Sequence, residues 1–292
     1  MLDPSIVDPD HQLAMPFQAA EHYAQLVMGW AQEPLPDDVV TTRALAYGSD
    51  RLHRYDVYAP AGARNAPVLV FWHGGGWTNG YREYVHFMAP HVTRLGMLLV
   101  APSYRLAPLN PLPAALDDAF ALLQALQDSI AGLGGAPDRL YLSGHSAGGH
   151  IATLTALRSS GQEHARLPAN AIRACLPISG IMDLYHPTPP AGSLEERVYT
   201  MVLGDPSEDA VMSPLCWTVG NAVPMLLTHG TRDSERVIRS NGRLRALLQL
   251  QPAGVHCVVE ADLDHFQTHT MLRDADHPWY ARLHQFIQKG HL

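Results

Sequence analysis

From residue 54 onward, short apolar runs alternate with longer stretches in which apolar positions return every three or four residues. The runs Arg54–Tyr58, Val68–Trp72, Met97–Ala101, Leu140–Ser143, Ala174–Ser179, Val223–His229 and His256–Glu260, rich in Val, Leu and Tyr, predict strands. Between and after them, Leu116–Gln127, Ala147–Arg158, Arg236–Leu250 and Tyr280–Gln288 carry helical spacing. Strands alternating with helices predict an α/β fold with a mostly parallel sheet and helices on both faces, because each parallel connection needs a crossover that packs back onto the sheet.

Ahead of this alternation, the segment "FQAAEHYAQLVMGWAQEP" places Phe17, Tyr23, Leu26, Val27 and Trp30 at near-helical spacing. It predicts a helix that either covers the core or caps a binding site. The proline-rich stretches "LAPLNPLP" and "HPTPPAGS" read as loops and not as domain linkers, since the strand pattern resumes after each. The longest section without a strand run lies between Ser179 and Val223 and is expected to form part of a lid. The expected organisation is therefore a cap segment over residues 1–40 and one domain over 41–292 with a lid insertion near 180–222.

Composition narrows the function. With 292 residues, 47% of them hydrophobic and 16% charged, the chain can bury a sizeable core. The balance of 20 Lys and Arg against 28 Asp and Glu leaves no basic surface for phosphates, so no nucleic-acid partner is expected. Three scattered cysteines, Cys175, Cys216 and Cys257, are too few for a disulfide framework and fit a reducing compartment. The first residues, "MLDPSIVDPDHQLAMPF", put acids and prolines where a secretion signal needs a basic stretch and an apolar core. No apolar run reaches the roughly 18 residues that span a bilayer, so no membrane partner and a cytoplasmic location are expected. Seventeen histidines raise the question of a metal, but there is no HExxH or paired CxxC spacing, and His265 and His269, four apart, lack a third ligand nearby. No metal and no organic cofactor are expected.

The chemistry starts at "GHSAGG", residues 144–149. Gly144, Ser146 and Gly148 match GxSxG, a pattern that average residue usage yields by chance about 0.1 times in a chain of this length. Its setting adds more. An apolar run before it and a helical pattern after it make the strand–turn–helix of a nucleophile elbow, in which the serine hydroxyl stands clear of the sheet beside a helix N-terminus.

A serine hydroxyl is a weak nucleophile without a base, so a histidine and an orienting carboxylate are required further along the chain. Asp233 follows the apolar run of "VPMLLTHGTRD", and His265 follows the last strand in "CVVEADLDHF"; both are placed on loops at the carboxyl edge of the sheet. Asp205, Glu235, Asp262 and Asp264 are rival carboxylates, and His229, His256 and His269 are rival histidines. Asp233 is favoured because it alone joins a preceding buried-type strand with the order serine, acid, histidine. His265 is favoured because His229 ends its strand ahead of Asp233 and His256 comes at the front of its own. The glycines of "VLVFWHGGGW" let the backbone turn its amides toward a substrate oxygen, which assigns the N–H groups of Gly75, Gly76 and Ala147 to an oxyanion hole. Trp30, Trp77, Met182, Trp217 and Phe266 are candidates for an apolar substrate pocket, with two or three expected to line it and the others to pack in the core.

HGGGW, "YRLAPLNPLPAALDD", GHSAGG, "HGTRD" and "DHF", in that order, resemble α/β-hydrolases of the hormone-sensitive-lipase-like esterase group over residues 45–290. The resemblance implies an α/β-hydrolase fold: a mostly parallel eight-stranded sheet with helices on both faces and a small cap. It implies Ser146, Asp233 and His265 as the triad, with His73 and the segment Tyr104–Pro108 supporting the site without reacting. His145, where those esterases commonly carry aspartate, and the segments "RDSERVIRSN" and "ISGIMDL" are similar instead to the kynurenine formamidase (arylformamidase) branch. Gly76 stands where that branch commonly has tyrosine, so the chain looks intermediate.

The expected function is thus a serine hydrolase that cleaves a small carboxylic ester through an acyl-enzyme, with a small ester or amide as its ligand. N-formyl arylamides such as N-formylkynurenine are the alternative substrates. A non-catalytic small-molecule receptor on the same fold is the alternative of another class. A homodimer is compatible with either.

Overall fold

Eight strands form one sheet in the computed structural model, which describes residues 12–290. They are β1 (Val39–Ala46), β2 (Arg54–Pro60), β3 (Ala66–Trp72), β4 (Leu98–Pro102), β5 (Gly135–His145), β6 (Ile172–Ile178), β7 (Met225–Arg232) and β8 (Val255–Asp264), in the spatial order β1-β2-β4-β3-β5-β6-β7-β8. β1 and β2 pair antiparallel, as do β2 and β4, and every other neighbouring pair is parallel. All seven expected runs are strands. β1 is the addition: at the sheet edge it pairs only with β2 and is half-exposed along its length, so "VVTTRALA" has no continuous apolar run to announce it.

The helices are α1 (Gln18–Trp30), α2 (Ala89–Arg94), α3 (Ala114–Ser129), α4 (Ala147–Leu157), α5 (Ser159–His164), α6 (Leu194–Arg197), α7 (Glu235–Leu248), α8 (Gln267–Thr270) and α9 (Pro278–Lys289). The link from β3 to β4 was not expected to be helical. It is a 3₁₀ turn, Arg82–Met88, running into the short α2 with Pro90 near its start, too brief for a clear period.

β3 shows why the sheet is central. Val68, Val70 and Trp72 pack on one face with residues of α3, α4 and α7, while Leu69 and Phe71 pack on the other with α1, α2 and α9. A strand covered on both faces reads as an unbroken apolar run, which is how "VLVFW" reads. Burial of this double core removes apolar surface at about 25 cal/mol per Å², and it fixes the carboxyl ends of β3, β5, β7 and β8 along one edge of the sheet.

Of the 1–40 cap segment, residues 1–11 lie outside the described residues, as does most of the stretch read against a secretion signal. In the described part, α1 buries Ala24 and Val27 in the core while Ala20 and Tyr23, nearer its start, also face a cavity above the sheet edge. The expected lid near 180–222 is a chain of short turns: α6, a π turn over Val198–Val202, and 3₁₀ turns at Pro206–Glu208 and Pro214–Trp217. Among the described residues, no helix is long and apolar enough to cross a membrane, and no group of three or more His, Cys, Asp and Glu is arranged to hold a metal ion.

Candidate active site

Ser146 is the single residue between β5 and α4. Its backbone is held at φ 55°, ψ −118°, a region that costs a non-glycine residue about 1–3 kcal/mol and persists only where the surroundings over-determine it. They do so here. A Cβ on Gly144 would stand 2.4 Å from the Gly148 carbonyl carbon, and one on Gly148 would stand 2.0 Å from the Trp72 carbonyl oxygen. Only glycine lets β3, β5 and α4 approach this closely. The Ser146 amide donates to the Ile178 carbonyl (2.9 Å), and its carbonyl accepts from the His150 amide (3.0 Å). Ala147 opens α4, so its N–H has no acceptor within the helix and adds to the positive end of the helix dipole.

β7 ends at Arg232 and Asp233 follows at once, with Ser234 capping α7. β8 ends at Asp264, whose Oδ1 accepts from the amides of Phe266 (3.0 Å) and Gln267 (2.9 Å) and so folds the turn that presents His265. The structure brings the three distant residues together. His265 Nε2 lies 2.8 Å from Ser146 Oγ, and His265 Nδ1 lies 2.7 Å from Asp233 Oδ1. With Nδ1–H given to the carboxylate, Nε2 of the neutral ring accepts from the serine hydroxyl.

The Asp233 side chain is fully buried, while that of His265 is 23% exposed. Asp233 Oδ1 also accepts from the Ser234 amide (2.8 Å), and Oδ2 accepts from Ser179 Oγ (2.5 Å). Burial pushes this carboxyl up, but the hydrogen bond from His265 and attraction to its imidazolium form, with Ser179 and the Ser234 amide, outweigh it and hold the group below the usual aspartate range. The rival residues lie elsewhere. Asp205, Glu235 and Asp262 are exposed, Asp264 folds its own turn, His256 is exposed, His229 is buried against the Gly230 carbonyl (3.2 Å), and His269 is buried against Tyr23.

Beyond β3, Gly75 at φ 128° and Gly76 at φ 61° turn the backbone through conformations that glycine adopts readily, and both border the cavity beside Ser146. A Cβ on Gly75 would stand 2.0 Å from the Asn79 carbonyl oxygen. His73 is buried beneath this loop, stacked on Tyr104 with ring centres 4.4 Å apart, its Nδ1–H donated to the Gly74 carbonyl (2.8 Å). Burial pulls its imidazole down to about 4, against which the Gly74 bond acts only in part. Tyr104 Oη donates to the His73 carbonyl (3.1 Å).

A cavity of about 230 Å³ opens on Ser146 and His265. Trp77 and Phe266, both expected, line it. Met182, Trp217 and Trp30 do not. Met182 is fully buried in the core, and its neighbour Ile181 faces the cavity in its place. Trp217 is turned away, its Nε1–H on the Val211 carbonyl (2.8 Å) and its ring under the Arg158 guanidinium at 3.9 Å. Trp30, two turns beyond Tyr23 on α1, is carried about 10 Å along the helix to Phe87 and Arg273. Met15, Phe17 and Tyr23 from the N-terminal segment and Leu194, Val198 and Val202 from the insertion complete the apolar wall.

Sequence reasoning missed three supporting residues. Ser179 holds Asp233; it stands in "ISGIMDL" at the end of β6, where a serine following an apolar strand was the signal. His150 accepts from Trp77 Nε1 (3.2 Å) and donates to the Met212 carbonyl (2.7 Å); a histidine inside the otherwise apolar start of α4 was visible but unexplained. Gln12 bonds both the amide and the carbonyl of Gly80 (2.9 and 3.0 Å), tying the N-terminal segment to the glycine loop, and nothing in the sequence points to it.

Residues 69–269 match the family model of the alpha/beta hydrolase fold. The chain is 36% identical over 126 residues to the carboxylesterase NlhH of Mycobacterium tuberculosis, covering 42% of this chain and 40% of that protein. It is 28% identical over 211 residues to a probable isoprenylcysteine alpha-carbonyl methylesterase of Arabidopsis thaliana, covering 65% of this chain and 44% of that one. The chain thus spans less than half the length of these curated relatives. Among solved structures, the carboxylesterase EstE1 from a metagenomic library superposes with a TM-score of 0.75 at 21% identity, over 93% of this chain and 97% of that one. An esterase of the bacterial hormone-sensitive lipase family superposes at 0.73 with 22% identity, over 95% and 93%. At such identities the likeness is one of fold.

Proposed function

This chain belongs to the alpha/beta hydrolase fold family, and from that premise we propose that it is a serine carboxylesterase cleaving small, largely apolar esters through an acyl-enzyme. The observation that carries the reading is the bonded line Ser146 Oγ, His265, Asp233, with contacts of 2.8 and 2.7 Å. As Ser146 Oγ attacks the ester carbonyl, His265 Nε2 takes its proton, and Asp233 stabilises the imidazolium so formed. The amides of Gly75, Gly76 and Ala147 receive the developing oxyanion. His265 then gives the proton to the departing alkoxide, and water activated by the same nitrogen releases the acid. Every proton is moved by a side chain of this chain. The cavity volume of about 230 Å³ lies below the usual range of drug-sized ligand sites, which favours a short acyl group. The carboxylesterase and methylesterase relatives support ester over amide.

A second reading, an amidase for N-formyl arylamides, rests on His145 and on the segments "RDSERVIRSN" and "ISGIMDL", which resemble the kynurenine formamidase branch. The kcat/KM of the purified chain on p-nitrophenyl acetate and on N-formylkynurenine decides between the two; a ratio favouring the formamide overturns the esterase. A fluorophosphonate that leaves Ser146 unlabelled in the folded protein overturns both and returns the receptor reading.

A further inference from the structure

The histidine beside the nucleophile has no step in the mechanism above, yet it is 99% buried against the base. His145 Nε2 lies 2.7 Å from the main-chain carbonyl of His265. Its ring is stacked on His269 at 5.1 Å and 12°, and His269 is stacked in turn on Phe71 at 5.3 Å and fixed by the Tyr23 hydroxyl at 2.8 Å. The other ring nitrogen, Nδ1, is buried against Gly74 with no hydrogen-bond partner among the described residues. A proton there would be a buried unpaired donor, so the neutral ring carries its one proton on Nε2 and donates it to His265. Burial, then the neighbouring His265 and His269, keep this imidazole far below its ordinary range and therefore uncharged.

The hydroxyls around the His265 carbonyl have too few protons to hold it alone. Thr268 Oγ1 is 2.8 Å from the same His265 carbonyl and 2.8 Å from Ser179 Oγ, while Ser179 Oγ is 2.5 Å from Asp233 Oδ2. These three contacts share two hydroxyl protons. The carboxylate is the strongest acceptor and takes the serine proton. Thr268 must then divide its single proton between Ser179 and the His265 carbonyl. Among the described residues, the His145 N–H has no acceptor besides this carbonyl.

We infer that His145 is a positioning residue: its Nε2–H anchors the His265 backbone and thereby sets the height at which the imidazole meets Ser146 and Asp233. The inference rests on the serine-hydrolase reading. A shift of the base by about 1 Å costs about 100-fold in rate, so loss of the anchor lowers kcat; His145 also borders the cavity but is only 1% exposed, so substrate binding changes little.

The test compares His145→Gln with His145→Asn on p-nitrophenyl acetate. The glutamine amide nitrogen stands the same number of bonds from Cβ as histidine Nε2; that of asparagine stands one short and cannot reach. His145→Gln is expected to keep kcat within about fivefold of the parent, and His145→Asn to lose about 10- to 100-fold in kcat with KM changed by less than about twofold. Equal kcat in the two variants, or a loss carried by KM, overturns the inference. Where either variant gives too little folded protein for steady-state work, the rate of fluorophosphonate labelling of Ser146 in the folded fraction makes the same comparison. A parent chain that neither hydrolyses the ester nor takes the label overturns the hydrolase reading and this inference with it, which separates that failure from one confined to the variants.

Discussion

Two regions meet at Ser146 and are built differently. Beneath it, the ends of β3 and β5 and the start of α4 are buried throughout and locked by main-chain contacts, with glycines at 144 and 148 where any side chain would collide. Above it, Phe17, Leu194, Val198 and Phe266 come from a helix start and short turns; Phe17 is 42% and Leu194 44% exposed. The lower region fixes atoms to within a hydrogen bond, and the upper one only encloses space. On the proposed esterase reading, reaction type belongs to the first and substrate shape to the second.

If that division holds, the largest effects come from below. Ser146→Ala removes the nucleophile and is expected to lower kcat on p-nitrophenyl acetate by about 1,000-fold or more, with an unchanged unfolding midpoint. Retention of activity would break the assignment. Gly148→Ala puts a Cβ 2.0 Å from the Trp72 carbonyl oxygen, and urea unfolding should register a loss of at least about 2 kcal/mol. Gly192 in the insertion offers the contrast. A Cβ there meets nothing within 4 Å, so Gly192→Ala is expected to lose only about 1 kcal/mol, from its φ of 76°. Equal losses at the two sites would erase the distinction.

The same division governs what could be read from sequence. Ser146, Asp233, His265 and the glycine loop were legible because each sits at the junction of a strand and a turn, and the close approaches that demand glycine at 75, 144 and 148 leave a local signature. The sheet was legible for another reason, the apolar runs of its strands, except β1, whose half-exposed edge carries no such run. The wall was not. Trp77 and Phe266 lie within the motif segments themselves and were found, but whether Met182 or Ile181 faces the cavity depends on packing between segments far apart in the chain. Trp217, one of the five apolar candidates, packs outside the cavity because its ring and its N–H are satisfied by Arg158 and the Val211 carbonyl.

Acid should act first on the buried histidines beneath and beside Ser146. His73, His150 and His269 are buried, and burial pulls their imidazoles down to about 4, 4 and 3. Each folded value lies below the unfolded value of about 6.5, so between pH 6.5 and 4 the unfolded chain binds more protons than the folded one. Stability from these groups is complete above about pH 6.5 and is lost as pH falls, with a slope of about 1.4 kcal/mol per pH unit for each histidine that the unfolded chain has protonated. Asp233, held below the usual aspartate range, acts in the same direction at lower pH. Urea midpoints measured at pH 7.5, 6 and 5 should fall steadily; a flat series would mean that these rings are not buried and neutral.

Smaller effects come from the wall, and they should alter selectivity more than rate. Val198 is buried and faces the cavity, so Val198→Phe fills part of it without touching the reacting atoms. The ratio of kcat/KM for p-nitrophenyl acetate over p-nitrophenyl hexanoate is expected to rise about tenfold, the range that a few methylenes of pocket space control. Trp217 sets the floor of the series. It lies in the same insertion but packs outside the cavity, so Trp217→Ala should leave both kcat/KM values within about twofold and lower stability by about 1 kcal/mol through loss of the Arg158 contact. A change in acyl-chain preference on removing Trp217 would show that the insertion acts as one body, with its outer face setting the position of Val198 and Leu194. The absence of such a change, beside a clear effect at Val198, would confine substrate choice to the side chains that touch the cavity.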